Sequence, residues 1–90
     1  MYYVYVLFSL KDRKLYVGST QNLVRRIKQH KNGEVKSTTN RRPLSLIHYE
    51  AYLQKTDAER REKYFKGGNG RADLKIQLKD CLTILKYKYL

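Results

Sequence analysis

Apolar residues crowd the start of the chain, then settle into stretches with two different periods. Tyr2 to Leu10 is almost unbroken in β-branched and aromatic types, which predicts a strand that is apolar on both faces. Lys11-Asp12-Arg13-Lys14 is a polar turn, and Leu15-Tyr16-Val17 returns antiparallel beside the first strand. Gly18 ends the regular pattern, and Ser19, Thr20 or Asn22 offers a helix cap. From about Asn22 to Lys31 the period becomes helical, and Asn32-Gly33 stops it. Leu23, Arg26, Ile27 and His30 follow the i, i+3, i+4, i+7 spacing, so a cation and an imidazole share a stripe with two core residues.

Glu34 to Pro43 is a polar loop. Its hydroxyls (Ser37, Thr38, Thr39) and cations (Lys36, Arg41, Arg42) suit either a phosphate or a solvated connection. Leu44 to Leu53 predicts a third strand, with Leu46, His48 and Glu50 on one face and Ile47, Tyr49 and Ala51 on the other. Thr56-Asp57-Ala58-Glu59 has the spacing of a capping box, and the helix it opens runs to about Lys66. Gly67-Gly68-Asn69-Gly70 should interrupt it. A last helix from about Arg71 places Leu74, Leu78, Cys81, Leu82 and Leu85 on one stripe, with Cys81 as a small core residue.

The order is strand, strand, helix, strand, helix, helix. That is a small α/β domain of the α+β type, with a three-stranded, largely antiparallel sheet flanked by about three helices. Ninety residues suit a single domain, 1–90, with its core at about 2–80 and a C-terminal helix and tail beyond.

Charge narrows the class of partner. Lys and Arg number 20 against 8 Asp and Glu, a net charge of +12 that attracts polyanions, above all nucleic acid. No stretch reads as a basic amphipathic membrane anchor, and no apolar run approaches a membrane span. Tyr3 to Leu10 is too short for a signal peptide and lacks a basic leader, so a cytoplasmic location is expected. The single Cys81 excludes an internal disulfide. Nine tyrosines with no tryptophan favour clefts where one end of the ring is wet.

Tyr3-Val4-Tyr5 and Tyr16-Val17-Gly18, followed in order by Asn22-Leu23, Arg26, His30 and Glu62, resemble the GIY-YIG nuclease domain. That family includes the N-terminal nuclease of a bacterial excision-repair protein, certain phage homing endonucleases and many short stand-alone bacterial proteins, which this chain resembles most. Tyr3 stands in place of the first triplet's glycine, and Val4 and Val17 replace isoleucines. The resemblance implies the same small sheet and helices, and a metal-dependent endonuclease acting on DNA in repair or recombination. The alternative is a non-catalytic basic module that keeps the fold and binds nucleic acid.

The resemblance assigns the chemistry to Tyr5, Tyr16, Arg26, His30 and Glu62. Taken alone, Glu62 is a surface ion-pair partner for Lys66, four residues on. In the family a glutamate on this helix is the metal ligand, and one carboxylate is enough for Mg²⁺ or Mn²⁺ completed by water and substrate oxygens. Glu50 is the competing carboxylate. A phenol is a poor base at neutral pH, but nearby cations favour the phenolate. Tyr16 is taken as the base, with Tyr5 orienting water or phosphate; the roles are exchangeable, and both rings are otherwise hairpin core. The planar fork of Arg26 suits a phosphate clamp. His30 would protonate the leaving oxygen or position a tyrosine. His48 is structural. Lys28, Lys36, Ser37, Thr38, Arg41, Arg42, Lys66 and Asn69 are the expected DNA contacts, Asn69 standing near where the family carries an asparagine. Substrate choice is then left to this domain or to a targeting protein partner.

Overall fold

The computed structural model describes residues 1–89, so the expected end of the domain at Leu90 lies outside the described residues. Three strands, β1 (Tyr2–Ser9), β2 (Leu15–Thr20) and β3 (Leu44–Tyr52), form an antiparallel sheet in the order β2-β1-β3. Helix α1 (Leu23–Lys31) follows β2. Helices α2 (Lys55–Lys66), α3 (Gly68–Gln77) and α4 (Lys79–Ile84) follow β3. The apolar first strand is central because it must be covered on both sides. Val4, Val6 and Phe8 are buried with Phe65, Leu74 and Leu82 under α2–α4, while Tyr5 and Leu7 are buried with Leu44 on the α1 side. The result is the expected α+β sheet, with the helices divided between its two faces.

The polar turn closes as expected. Arg13 takes the left-handed backbone conformation (φ 57), and the Ser9 hydroxyl accepts from the Lys11 and Asp12 amides. Strand β2 does not end at Gly18 as expected but stays paired with β1 through to Thr20. Of the three candidate caps, Ser19 and Thr20 therefore belong to the strand, and Asn22 caps α1, its side chain accepting from the Arg25 amide.

Four further local expectations are corrected. Helix α2 starts at Lys55 with Gln54 at its N-cap and no side-chain capping bond, so Thr56 is already helical and no capping box forms. Chain leaving β3 turns into the helix earlier than the Thr56–Glu59 spacing implied. The glycine run is not a loop: only Gly67 breaks the helix, and Gly68 begins α3. Gly70 is there for contact, since a Cβ on it would overlap the Tyr64 carbonyl as α3 folds back across the end of α2. Arg71 donates to the Phe65 carbonyl at 2.7 Å, satisfying part of that helix end.

The last helix is two pieces divided at Leu78, which buries Leu82 and leaves Cys81 only half-buried. Finally, β3 carries a bulge: Val6 pairs with His48 but Leu7 pairs with Leu46, so Ile47 is the extra residue. The bulge breaks simple alternation. Leu46 packs on the α1 side, whereas Ile47 and His48 pack on the α2 side, His48 edge-on to Phe65. Among the described residues no helix is long and apolar enough to cross a membrane.

Candidate active site

Tyr5 lies opposite Gly18 in the β1–β2 ladder. A Cβ at residue 18 would overlap the Tyr5 hydroxyl and ring, so glycine here makes room for the phenol. The Tyr5 hydroxyl is 2.7 Å from Nε2 of His30, and Nδ1 of His30 is 2.7 Å from the Thr38 hydroxyl. Thr38 reaches the Val35 carbonyl with its one proton, so its oxygen accepts from His30 Nδ1–H and Nε2 accepts from Tyr5. All three residues are buried. Burial, reinforced by Arg26, pulls the His30 pKa down to about 4, which keeps the ring neutral.

Burial also raises the Tyr5 pKa. The Arg26 guanidinium opposes that rise, and Tyr16 and Glu62 add to it. Both Arg26 and Glu62 are therefore within electrostatic reach of this phenol. Tyr16, on the edge strand, is half-buried. Its ring centre is 5.2 Å from that of His30 and 6.4 Å from that of Tyr5. Arg26, also half-buried, donates to Gln29 at 3.2 Å and lines a groove of about 610 Å³ together with Ser19, Thr20 and Arg25.

Glu62 arrives from the other side of the sheet. Along β2, Leu15, Val17 and Ser19 face α2 while Tyr16, Gly18 and Thr20 face α1. Ser19 donates to Glu62 Oε1 at 2.7 Å, and Lys66 donates to Oε2 at 2.8 Å. Burial alone would raise the Glu62 pKa, but these donors outweigh it and lower it, so the carboxylate stays ionised. Ser19 also lines the Arg26 groove, and Glu62 on the far side of Ser19 is near enough to raise the Tyr5 pKa.

Among the described residues no three His, Cys, Asp or Glu side chains cluster as a ready-made metal cage. A single hard, ionised carboxylate fits Mg²⁺ or Mn²⁺, which are commonly held by one or two carboxylates with waters and substrate phosphate. The Lys66 side chain is 53% exposed and can yield its place on Oε2. Glu50 does not compete. Arg61, His48 and the Tyr52 hydroxyl all bond it, and although burial raises its pKa these partners bring it down to about 2.

A match to the GIY-YIG catalytic domain covers residues 1–75. The chain belongs to the GIY-YIG family. It is similar to short proteins named UPF0213. One from Clostridium perfringens is 46% identical over 67 residues, 73% of this chain and 71% of the relative. One from Pediococcus pentosaceus is 34% identical over 88 residues, covering 97% and 92%. Another, from Lactiplantibacillus plantarum, is 42% identical over 77 residues, covering 82% and 75%. No solved structure matches the chain significantly.

The expected DNA contacts fall into two groups. Lys66 is at the site on Glu62, and the exposed Ser37 lies 3.4 Å from the Tyr16 hydroxyl. Lys28, Lys36 and Asn69 are exposed, on the last turn of α1, the following loop and the first turn of α3. Thr38 is not a surface contact, being buried on His30. Arg41 is held by Asp12 at 2.6 Å and by the Leu15 carbonyl, and Arg42 by the Thr39 carbonyl. His30, with no exposed surface, cannot meet a leaving oxygen; of its two expected roles, positioning the tyrosine fits its surroundings. Sequence reasoning missed Ser19 as the partner of Glu62, although alternation along β2 already put it on the α2 face.

Proposed function

We propose that this protein is a metal-dependent endonuclease that hydrolyses DNA phosphodiester bonds. The observation that carries the reading is the convergence at β2 of Tyr16 and the Tyr5–His30–Thr38 chain from one face and Glu62 from the other, beside a groove lined by Arg25 and Arg26. A phosphate in that groove is clamped by the Arg26 guanidinium, whose charge stabilises the extra negative charge of the transition state. Tyr16, the more exposed of the two, accepts in its phenolate form the proton of the attacking water as the new oxygen–phosphorus bond forms; the bond to the leaving oxygen breaks, and that oxygen takes a proton from solvent. Tyr5 is too buried for that step; it is held by His30 and Thr38 against Gly18 and keeps the site's shape. Glu62 would hold Mg²⁺ or Mn²⁺, and the bound ion would supply Lewis-acid stabilisation at the phosphate. Such an activity would belong to cytoplasmic DNA repair or recombination, with a targeting protein as a further partner.

A second reading, a basic DNA-binding module without catalysis, is favoured by the Lys66–Glu62 ion pair, which satisfies the carboxylate without metal. Incubating the protein with supercoiled plasmid and with branched DNA separates the two. Cleavage that needs Mg²⁺ or Mn²⁺ and stops with chelator is expected; binding without cleavage under every metal condition would favour the module.

A further inference from the structure

Helix α1 covers only part of its side of the sheet. It packs near Tyr5, Leu7 and Leu46, while the far end of the same face stays open: Tyr49 is 54% exposed, Ala51 is exposed and Tyr3 is half-buried. The register places this open end beside the site. Tyr5 is flanked by Gly18 and Tyr49, and Tyr3 by Thr20 and Ala51. Directly opposed residues share a face, so Tyr3 and Tyr49 stand next to Tyr5, and Tyr3 adjoins Thr20 in the wall of the arginine groove. The two rings meet edge to face, with centres 6.2 Å apart at 62°. Tyr3 is also the residue that replaces the glycine of the first triplet. Glu50, between Tyr49 and Ala51, points through to the opposite face, where Arg61 holds it.

A pair of phenol rings, Tyr49 exposed and Tyr3 half-buried, continuous with a groove carrying Arg25 and Arg26, on a chain of net charge +12, suits a ligand with flat π-faces and a phosphate backbone. We propose that Tyr3 and Tyr49 form a stacking subsite for an unpaired base beside the scissile phosphate, so that the substrate is DNA whose strand is splayed from its complement at the cut. The location of the cut rests on the nuclease reading; the stacking does not. A base inside a continuous duplex keeps its faces on its neighbours and gains nothing from this surface.

The test uses the Glu62→Gln protein with oligodeoxynucleotides carrying 2-aminopurine, either single-stranded or paired. Quenching of the single-stranded probe is expected. Tyr49→Ala should weaken its binding by roughly tenfold, the order expected for one base–aromatic stack, while Tyr49→Phe retains it and duplex affinity is unchanged. Equal single-strand binding by the parent and Tyr49→Ala would overturn the subsite, as would loss of self-association in Tyr49→Ala with DNA binding unaltered. If the probe is quenched but no DNA is cut by the wild-type protein with metal, the subsite stands and the nuclease reading falls. Equal cleavage of forked and duplex DNA without quenching gives the reverse.

Discussion

Tyr5 and Tyr16 carry the same hydroxyl in opposite surroundings. One is sealed between Gly18 and His30, and the other stands on the edge strand within reach of a ligand. Tyr16→Phe should therefore leave fold and DNA affinity almost unchanged while single-turnover cleavage falls by roughly two to four powers of ten. Arg26→Ala should be as damaging, and the double variant little worse than either, because both act on one transition state. Near-normal cleavage by Tyr16→Phe would end its assignment as base. His30 makes a separate prediction about stability. Its folded pKa, about 4, lies below the ordinary 6.5, so between those values the unfolded chain binds a proton that the native one refuses. Stability should fall as pH drops from 6.5 to 4, by roughly 3 kcal/mol, and level off for this group below that. Thermal melts of His30→Gln, which has no such proton to bind, should lack this slope.

Two elements do most to assemble the site. Strand β2 sends alternate side chains to opposite layers, so that Tyr16 and Ser19 serve different faces from one short segment. Helix α2 likewise has two duties. Arg61 stacks over Phe65 at 4.2 Å and holds Glu50 of β3, anchoring the helix, and the next residue is Glu62. Ser19→Ala removes a donor that lowers the Glu62 pKa, so that pKa should rise. The acid limb of the cleavage–pH profile should move to higher pH. Glu62→Gln should abolish metal-dependent cleavage and keep DNA binding. Full activity in Glu62→Gln would show that the metal is held elsewhere.

At the scale of the whole molecule, the charge of +12 dominates. DNA affinity should fall by orders of magnitude between roughly 50 and 200 mM salt if six or more phosphates are neutralised, because each one releases condensed counterions. A flat response across that range in a binding titration would rule out an electrostatic interface. Not every cation contributes equally. Arg41 and Arg61 are committed to Asp12 and Glu50, so substituting them should cost stability before affinity, whereas Arg25 faces the groove.

Strand β1, the start of β2 and helix α1 were legible in the chain itself, because an apolar run and a helical period depend on near neighbours, whereas the extension of β2 through Gly18, and with it the choice of Asn22 as cap, was set by pairing with β1. The ordered tyrosines, Arg26, His30 and Glu62 were legible in the same way, as a motif. Their surroundings were not. Tyr5 meets His30 across 25 residues and Ser19 meets Glu62 across 43, and no spacing rule relates such positions. The loop residue Thr38 reads as a polar surface group until folding seals it against His30. The start of α2, the bulge at Ile47 and the use of Gly70 were likewise decided by what packs against them. Local patterns specify which elements form; only their packing determines which polar groups are buried, and so which face the groove and which hold the site from behind.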